Sequence, residues 1–303
     1  MKKYLLVFSC LLSFQSFCQD DLMDMLNKQN ETKTEYTTAT FKATRLINGQ
    51  TIETVNKKHL NFWISHRFGA VNSGFIDNFF GLDEAKIRLG LEYGLTDNLT
   101  VGVGRSSQEK TYDYYLKYKA IRQSTNVPVT VTGYVSGAAN TMITGYTLES
   151  GSTLKFNDNL ERQTYCGQIL IARKFSEKLS LQIMPTIIHF NKTEVTDMKS
   201  EVLSLGFGGR YKLSKRLSLN AEYYLTDHGT SSVSSKYHNS LAIGFDIETG
   251  GHVFQLHFTN SKGMIERHFI AQTIGQWSNA DIFYGFNISR TFSFDGKSNQ
   301  KKN

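Results

Sequence analysis

From about residue 59 to residue 294 apolar and polar side chains alternate with a period of two, and few folds accept that pattern over so long a stretch. In 86–95, Ile87, Leu89, Leu91, Tyr93 and Leu95 share one face, while Lys86, Arg88, Gly90, Glu92 and Gly94 share the other. In 203–213, Leu203, Leu205, Phe207, Gly209, Tyr211 and Leu213 oppose Ser204, Gly206, Gly208, Arg210 and Lys212. The same holds in 217–225 and 282–294. Side chains on a strand point alternately to opposite sides, so each segment is a strand with one apolar and one polar face.

Punctuation follows a second rule. Leu95-Thr96-Asp97-Asn98-Leu99, Phe175-Ser176-Glu177-Lys178-Leu179 and Leu213-Ser214-Lys215-Arg216-Leu217 are tight turns of one form, and 246–251 ends in a Gly-Gly turn. Longer polar connections fall at 69–85, 107–110, 137–160, 191–199, 227–238 and 261–280. Strands are predicted at 59–68, 86–95, 99–106, 111–122, 127–136, 161–174, 180–190, 200–212, 217–227, 238–247, 252–260 and 281–294. That makes 12, with roughly 10 to 14 allowed by boundary error. Short turns and long loops sort to opposite ends, which suits an up-and-down meander closed on itself better than a sandwich with crossings of mixed length.

These features predict an all-β fold, a transmembrane antiparallel barrel of about 12 strands with both termini in the periplasm. Apolar faces then meet lipid and polar faces enclose a lumen. Ten residues at about 3.3 Å each, tilted near 40°, cover roughly 25 Å of hydrocarbon. Closure is obligatory, since an unpaired backbone group in lipid costs several kcal/mol. Past residue 18 no run of about 18 apolar residues exists to make a spanning helix. Tyr112, Tyr114, Tyr115, Tyr118, Tyr223 and Tyr224 suit the boundary between lipid and water. Arg290 falls on the lipid register of the last strand, so it is expected to snorkel from near a rim.

Residues 1–18 carry the marks of a secretory signal: Lys2 and Lys3, then an apolar stretch from Tyr4 to Phe14. Cleavage before Gln19 competes with lipidation at Cys18, against which the bulk of Phe17 speaks. The mature chain keeps Cys166 alone, so it forms no internal disulfide. Loss of the signal removes two lysines and no acid, lowering the net charge from +7 to +5. Residues 19–58 are expected as a periplasmic N-terminal segment with a short helix and strand, 59–294 as the barrel, and 295–303 as a polar C-terminal tail. The aromatic-rich last strand ends in Phe292 and Phe294, which marks it for the barrel-insertion machinery; outer-membrane lipid is the other expected partner.

His66-Arg67-Phe68-Gly69, Phe80-Gly81-Leu82-Asp83, Ile87 to Gly94, Gly104-Arg105-Ser106 and Gly285-Phe286-Asn287-Ile288 together resemble an uncharacterised outer-membrane β-barrel family of Bacteroidota, a domain of unknown function. The likeness covers roughly 36–294. It implies a barrel and an outer-membrane address, and brings no catalytic residue.

No phosphate loop, dinucleotide fingerprint, HExxH or CxxC occurs, and the histidines are scattered. Ser65 and His66 are adjacent on one strand and point to opposite faces, so they make no catalytic pair. No enzyme activity, catalytic residue, cofactor or metal is expected. With no block of five basic residues, neither is nucleic acid. The glycines of Val101-Gly102-Val103-Gly104 suggest lumenal space. The candidate site is the lumen wall: Arg67, Lys86, Arg88, Glu92, Lys117, Lys119, Arg210, Lys212, Glu222 and Asp246. Two functions remain open. One is a small passive channel or solute-uptake barrel whose basic lumen favours a small anionic solute. The other is a non-conducting binding or scaffold barrel, plugged by side chains and acting through its extracellular loops.

Overall fold

The computed structural model describes residues 34–294 apart from 144, 148–150, 152, 194 and 196. The expected signal, residues 19–33 of the N-terminal segment and the 295–303 tail lie outside these.

The strands are β1 (His59–Ala70), β2 (Ala85–Thr96), β3 (Leu99–Ser106), β4 (Tyr112–Ile121), β5 (Thr130–Ala139), β6 (Tyr146–Thr147) and β7 (Thr153–Leu154). Then follow β8 (Gln163–Lys174), β9 (Leu179–Phe190), β10 (Glu201–Lys212), β11 (Leu217–Thr226), β12 (Ser240–Thr249), β13 (His252–Thr259) and β14 (Phe283–Ser293). Twelve of them close an antiparallel barrel in sequence order, while β6 and β7 form a separate hairpin within the β5–β8 loop. Closure runs along β1 and β14, from His59 opposite Ser293 to Arg67 opposite Gly285. The molecule is therefore the 12-stranded barrel that the alternation predicts. β5 begins at Thr130, three residues late, because Pro128 lacks the N–H a ladder needs.

Burial alternates with the sequence. Along β2, Arg88, Gly90 and Glu92 are buried while Leu89 and Leu91 lie on the outside. Exposed Leu, Ile, Val, Phe and Tyr continue this outer band around β3, β4, β8–β13. A patch of that extent suits a lipid solvent rather than water. Arg290 points outward at the short-turn rim, its guanidinium 4.9 Å from the Phe292 ring, which is the snorkelling position expected. Two of the tyrosines assigned to the membrane boundary, Tyr115 and Tyr224, instead face inward and are buried.

The interior departs further from expectation. The sequence puts 19–58 in the periplasm, yet residues 40–52 run inside the barrel and are almost wholly buried. The connection at 261–280, expected as an outer loop, folds inward, and Met264 to Ala271 are buried. Both inserts pack on an apolar patch of the wall, where Leu46, Ile52, Phe269 and Ile270 join Leu170, Met184, Ile188 and Phe190. The lumen thus holds a core built from chain inserts, nearer to the plugged alternative than to an open passage. Gly102 and Gly104 leave no void either: a Cβ there would meet the Tyr115 ring at 2.2 Å and the Arg88 guanidinium at 2.4 Å.

Candidate functional site in the barrel lumen

The N-terminal insert enters past the short-turn rim and reverses at Leu46-Ile47-Asn48-Gly49. Arg45 and Gln50 pair across the turn, and the Leu46 N–H donates to the Gly49 carbonyl at 2.8 Å. An Asn-Gly pair is a strong hairpin signal. Gly49 is required by contact: a Cβ would stand 2.1 Å from the Tyr224 hydroxyl. The returning chain leaves by crossing Gly94, where a Cβ would lie 2.1 Å from the Asn56 carbonyl oxygen.

The wall grips this turn with polar groups. The Glu222 carboxylate accepts the backbone N–H groups of Ile47 (3.2 Å), Asn48 (2.8 Å) and Gly49 (3.0 Å). Asn287 donates to the Ile47 carbonyl at 2.8 Å, and Gln255 donates to that of Leu46 at 2.8 Å. Arg67 donates to Asn48 Oδ1 at 2.7 Å. On the returning arm, Gln182 accepts from Ile52 N–H at 3.0 Å and donates to the Gln50 carbonyl at 2.8 Å. Backbone groups of an irregular segment need such partners when buried.

A second cluster sits nearer the short-turn rim. Glu92 accepts from Thr44 at 2.6 Å, from Asn61 at 3.0 Å and from the Tyr115 hydroxyl. Lys117 donates to the Thr44 carbonyl at 3.0 Å, and Lys119 pairs with Glu53 at 3.2 Å. Arg210 donates to Ser218 at 3.0 Å and to the Ala39 carbonyl at 3.2 Å. Asp246 accepts from Gln255 at 2.9 Å. Toward the long-loop rim, Arg88 forms a buried pair with Asp113, its Nε 2.9 Å from Oδ1. Lys86 and Lys212 are half-buried at opposite ends of their strands.

All ten residues assigned to the lumen wall therefore lie on the inward register. At least eight of them hold other wall residues or the N-terminal insert. Asp113 was missed, although alternation along β4 puts it in phase with Lys117 and Lys119. It neutralises Arg88, so the wall is less basic than the sequence count suggests.

The two inserts meet in the middle. Gln50 donates to Glu266 at 3.2 Å, and Arg45 stands 3.8 Å from the same carboxylate oxygen. Phe269 packs edge-on to Tyr224 at 5.3 Å between centroids, and Thr226 donates to the Ile270 carbonyl at 3.2 Å. At the long-loop rim the β13–β14 insert is tied by Glu109, which lies 3.3 Å from Arg267 and 3.4 Å from His268 and accepts from Asn140 at 2.8 Å. Burial by itself would raise the Glu109 carboxyl; the Arg267 guanidinium and His268 outweigh it and hold the carboxyl down at about 2. Glu109 and Lys110 both take left-handed backbone angles, φ 51° and 47°, a strained conformation at the point of attachment.

Among the described residues no cluster of three or more His, Cys, Asp or Glu is arranged to hold a metal. Ser65 points inward and is buried, while His66 points outward and stacks on Phe286 at 5.1 Å.

A membrane-bound β-barrel domain family, DUF5777, matches residues 41–292. The chain belongs to this family. The match begins within the N-terminal insert, so the plug lies inside the family's domain. No curated protein matches. Among solved structures, the chain is similar to an outer membrane channel from Pseudomonas putida F1 (TM-score 0.48, 14% identity, 80% of this chain and 98% of that one). It is also similar to the KdgM porin (0.44, 10%, 77% and 99%) and to Omp33 from Acinetobacter baumannii (0.39, 10%, 79% and 100%). Likeness at this level carries no inference about cargo.

Proposed function

We propose that the protein is an outer-membrane barrel closed by its own chain, passing solute only when the inserts leave the lumen. The observation that carries this is the meeting of two segments from opposite rims, at Gln50, Arg45 and Glu266. Closure of this kind stops a passive current. The lining supports opening: Arg67, Arg88, Glu92, Lys117, Glu222 and Asp246 are all buried against the N-terminal insert or other wall residues. Charges taken out of water cost several kcal/mol each, which their partners only partly offset, so apolar packing of the same volume would stabilise a permanent core as well. A lumen wall that keeps them is suited to being wetted. Once uncovered, Arg67, Lys117 and Arg210 would favour anions.

Planar-bilayer recording tests this. The wild type is expected to be silent at neutral pH. A variant that lacks 262–273 and carries E222A, freeing both inserts, is expected to give stepwise currents whose anion preference falls on adding R210E. Steady currents from the folded wild type would refute closure. Silence of a variant whose inserts are shown by amide exchange to be released would refute opening.

A second reading, a scaffold acting through its outer loops, has one observation behind it. Phe75, Ile76, Phe79 and Phe80 are exposed in the β1–β2 loop, and Phe79 and Phe80 take left-handed angles, φ 43° and 56°. Triple substitution F75A/F79A/F80A should then abolish partner capture while leaving bilayer currents as they were.

A further inference from the structure

The outer wall carries a recess that the barrel does not require. A cavity of about 670 Å³ opens sideways on the lipid face across β4, β5, β8, β9 and β10. Five adjacent strands span about 19 Å at the inter-strand spacing. Its lining is apolar apart from backbone and a few polar tips, with Leu116, Val135, Ile169, Pro185, Ile187 and Leu203 as walls. The floor is bare main chain at Gly133 and Gly167, where a Cβ would meet nothing within 4 Å and only the edge of Ile187 at 3.5 Å, respectively.

Glycine alone does not make such a hole. Gly137 is also on the outer register, and its cross-strand partner Tyr114 lies across it, so that a Cβ would strike the ring at 2.4 Å. Gly133 has the same kind of partner, Tyr118, yet stays uncovered. One Tyr–Gly pair is filled by its own side chain and the next is left open. The ladder beneath is also interrupted. Pairing of β8 with β9 runs from Thr164–Phe190 to Gln168–Thr186 and resumes at Ile171–Ile183. Pro185 falls in the gap and has no N–H to give.

From this geometry we infer that the recess is a binding groove for one acyl tail of a bilayer phospholipid, retained longer than the lipid around it. The proposal rests on the membrane-spanning family, not on closure of the lumen. An uncharged recess opening into hydrocarbon recognises a hydrocarbon chain, and its volume lies within the range of small-molecule sites. A second barrel is a poorer occupant, because two convex walls meet along a line and leave a recess unfilled.

The test is photolabelling in phosphatidylethanolamine–phosphatidylglycerol vesicles doped with phosphatidylethanolamine bearing a diazirine in one acyl chain. Labelled peptides are mapped by mass spectrometry. In the folded wild type, adducts on 130–139 and 163–190 should exceed those on the equally lipid-facing 86–95 and 241–247 by about fivefold. G133L/G167L should bring the groove to the reference level, and G209L, elsewhere on the outer register, should not. Uniform labelling of the wild type overturns the proposal without any variant. So does enrichment that survives G133L/G167L, or labelling displaced by chain–chain crosslinks as protein density rises.

Discussion

Replacing Glu222 with Ala removes the single carboxylate that holds three consecutive backbone N–H groups of the N-terminal turn. Each hydrogen bond to a charged group contributes about 1.5–3 kcal/mol, and a buried donor left alone costs about 1–3 kcal/mol. Three such bonds would sum to more than 4 kcal/mol if independent. They share one carboxylate, and water can enter the space the side chain vacates, so the net loss is set at about 3–5 kcal/mol. The barrel ladders do not depend on this contact, so the loss falls on docking of residues 40–52 rather than on the barrel. At 1.4 kcal/mol per tenfold, amide protection at Leu46, Ile47 and Gly49 should drop by about 100- to 4,000-fold. Protection along β9 and β10 should stay as it was. E222Q keeps one carbonyl oxygen in place and should lose about half as much. Hydrogen exchange read by mass spectrometry in detergent micelles separates these cases. Unchanged protection at 46–50 in E222A, with a folded barrel, would refute the idea that this carboxylate anchors the insert. Equal loss across all strands would refute the separation of plug from barrel.

Acid should loosen the other insert. A carboxyl held below its unfolded value, about 4.3, adds stability that is fully present above that value and is lost as pH falls through about 2. Protease access to 262–273 should therefore rise between about pH 4.5 and 2, and E109Q should show that access already at pH 7. Breaking the buried Arg88–Asp113 pair on one side, by R88M or D113N, should cost about 3–5 kcal/mol, whereas R88M/D113L should cost far less. Denaturant unfolding of the three variants in micelles checks this, and equal losses would contradict it.

The barrel was legible in the sequence because only one half of each strand had to be read. A charged side chain at mid-depth in lipid costs about 2–4 kcal/mol, so the outward set is apolar over Leu89, Leu91, Leu205, Phe207, Ile243 and Phe245. The same regularity gave the inward register, and with it the side on which Arg67, Glu92 and Glu222 lie. What filled the lumen was hidden for a physical reason. Residues 40–52 pair with wall side chains more than with a ladder, so they carry no period of two, and Thr, Arg, Asn and Gln in them look like any surface segment. The 261–280 connection is similar: Arg267 and His268 suggest an exposed loop, and only Met264, Ile265, Phe269 and Ile270 speak for burial. Asp113 was overlooked among four tyrosines on the same strand.

One signal of a filled lumen did exist, on β8 and β9. Elsewhere the inner face is mostly polar, with single apolar residues such as Trp63, Val202 and Phe283, but Ile169 to Ala172 and Ile183 to Ile188 run nearly continuously apolar. A strand apolar on both faces is buried on both. In a barrel the outer face meets lipid, so the inner face there must meet something other than water. Leu170, Met184 and Ile188 do, against Leu46, Ile52 and the Phe269–Ile270 pair. The lumen is therefore two-sided. An apolar quarter receives both inserts by packing, and a polar remainder fastens them by hydrogen bonds that water can replace. Any motion of the inserts must uncover the apolar quarter, which resists wetting, while the polar part exchanges its partners for water at small cost. The energy of opening is thus concentrated on β8 and β9. Met184→Ser and Leu170→Ser should lower it more than any single polar substitution at the opposite wall other than Glu222, read as faster exchange of amides 44–52 and 264–271. Slower or unchanged exchange in those variants would place the restraint with the hydrogen bonds instead.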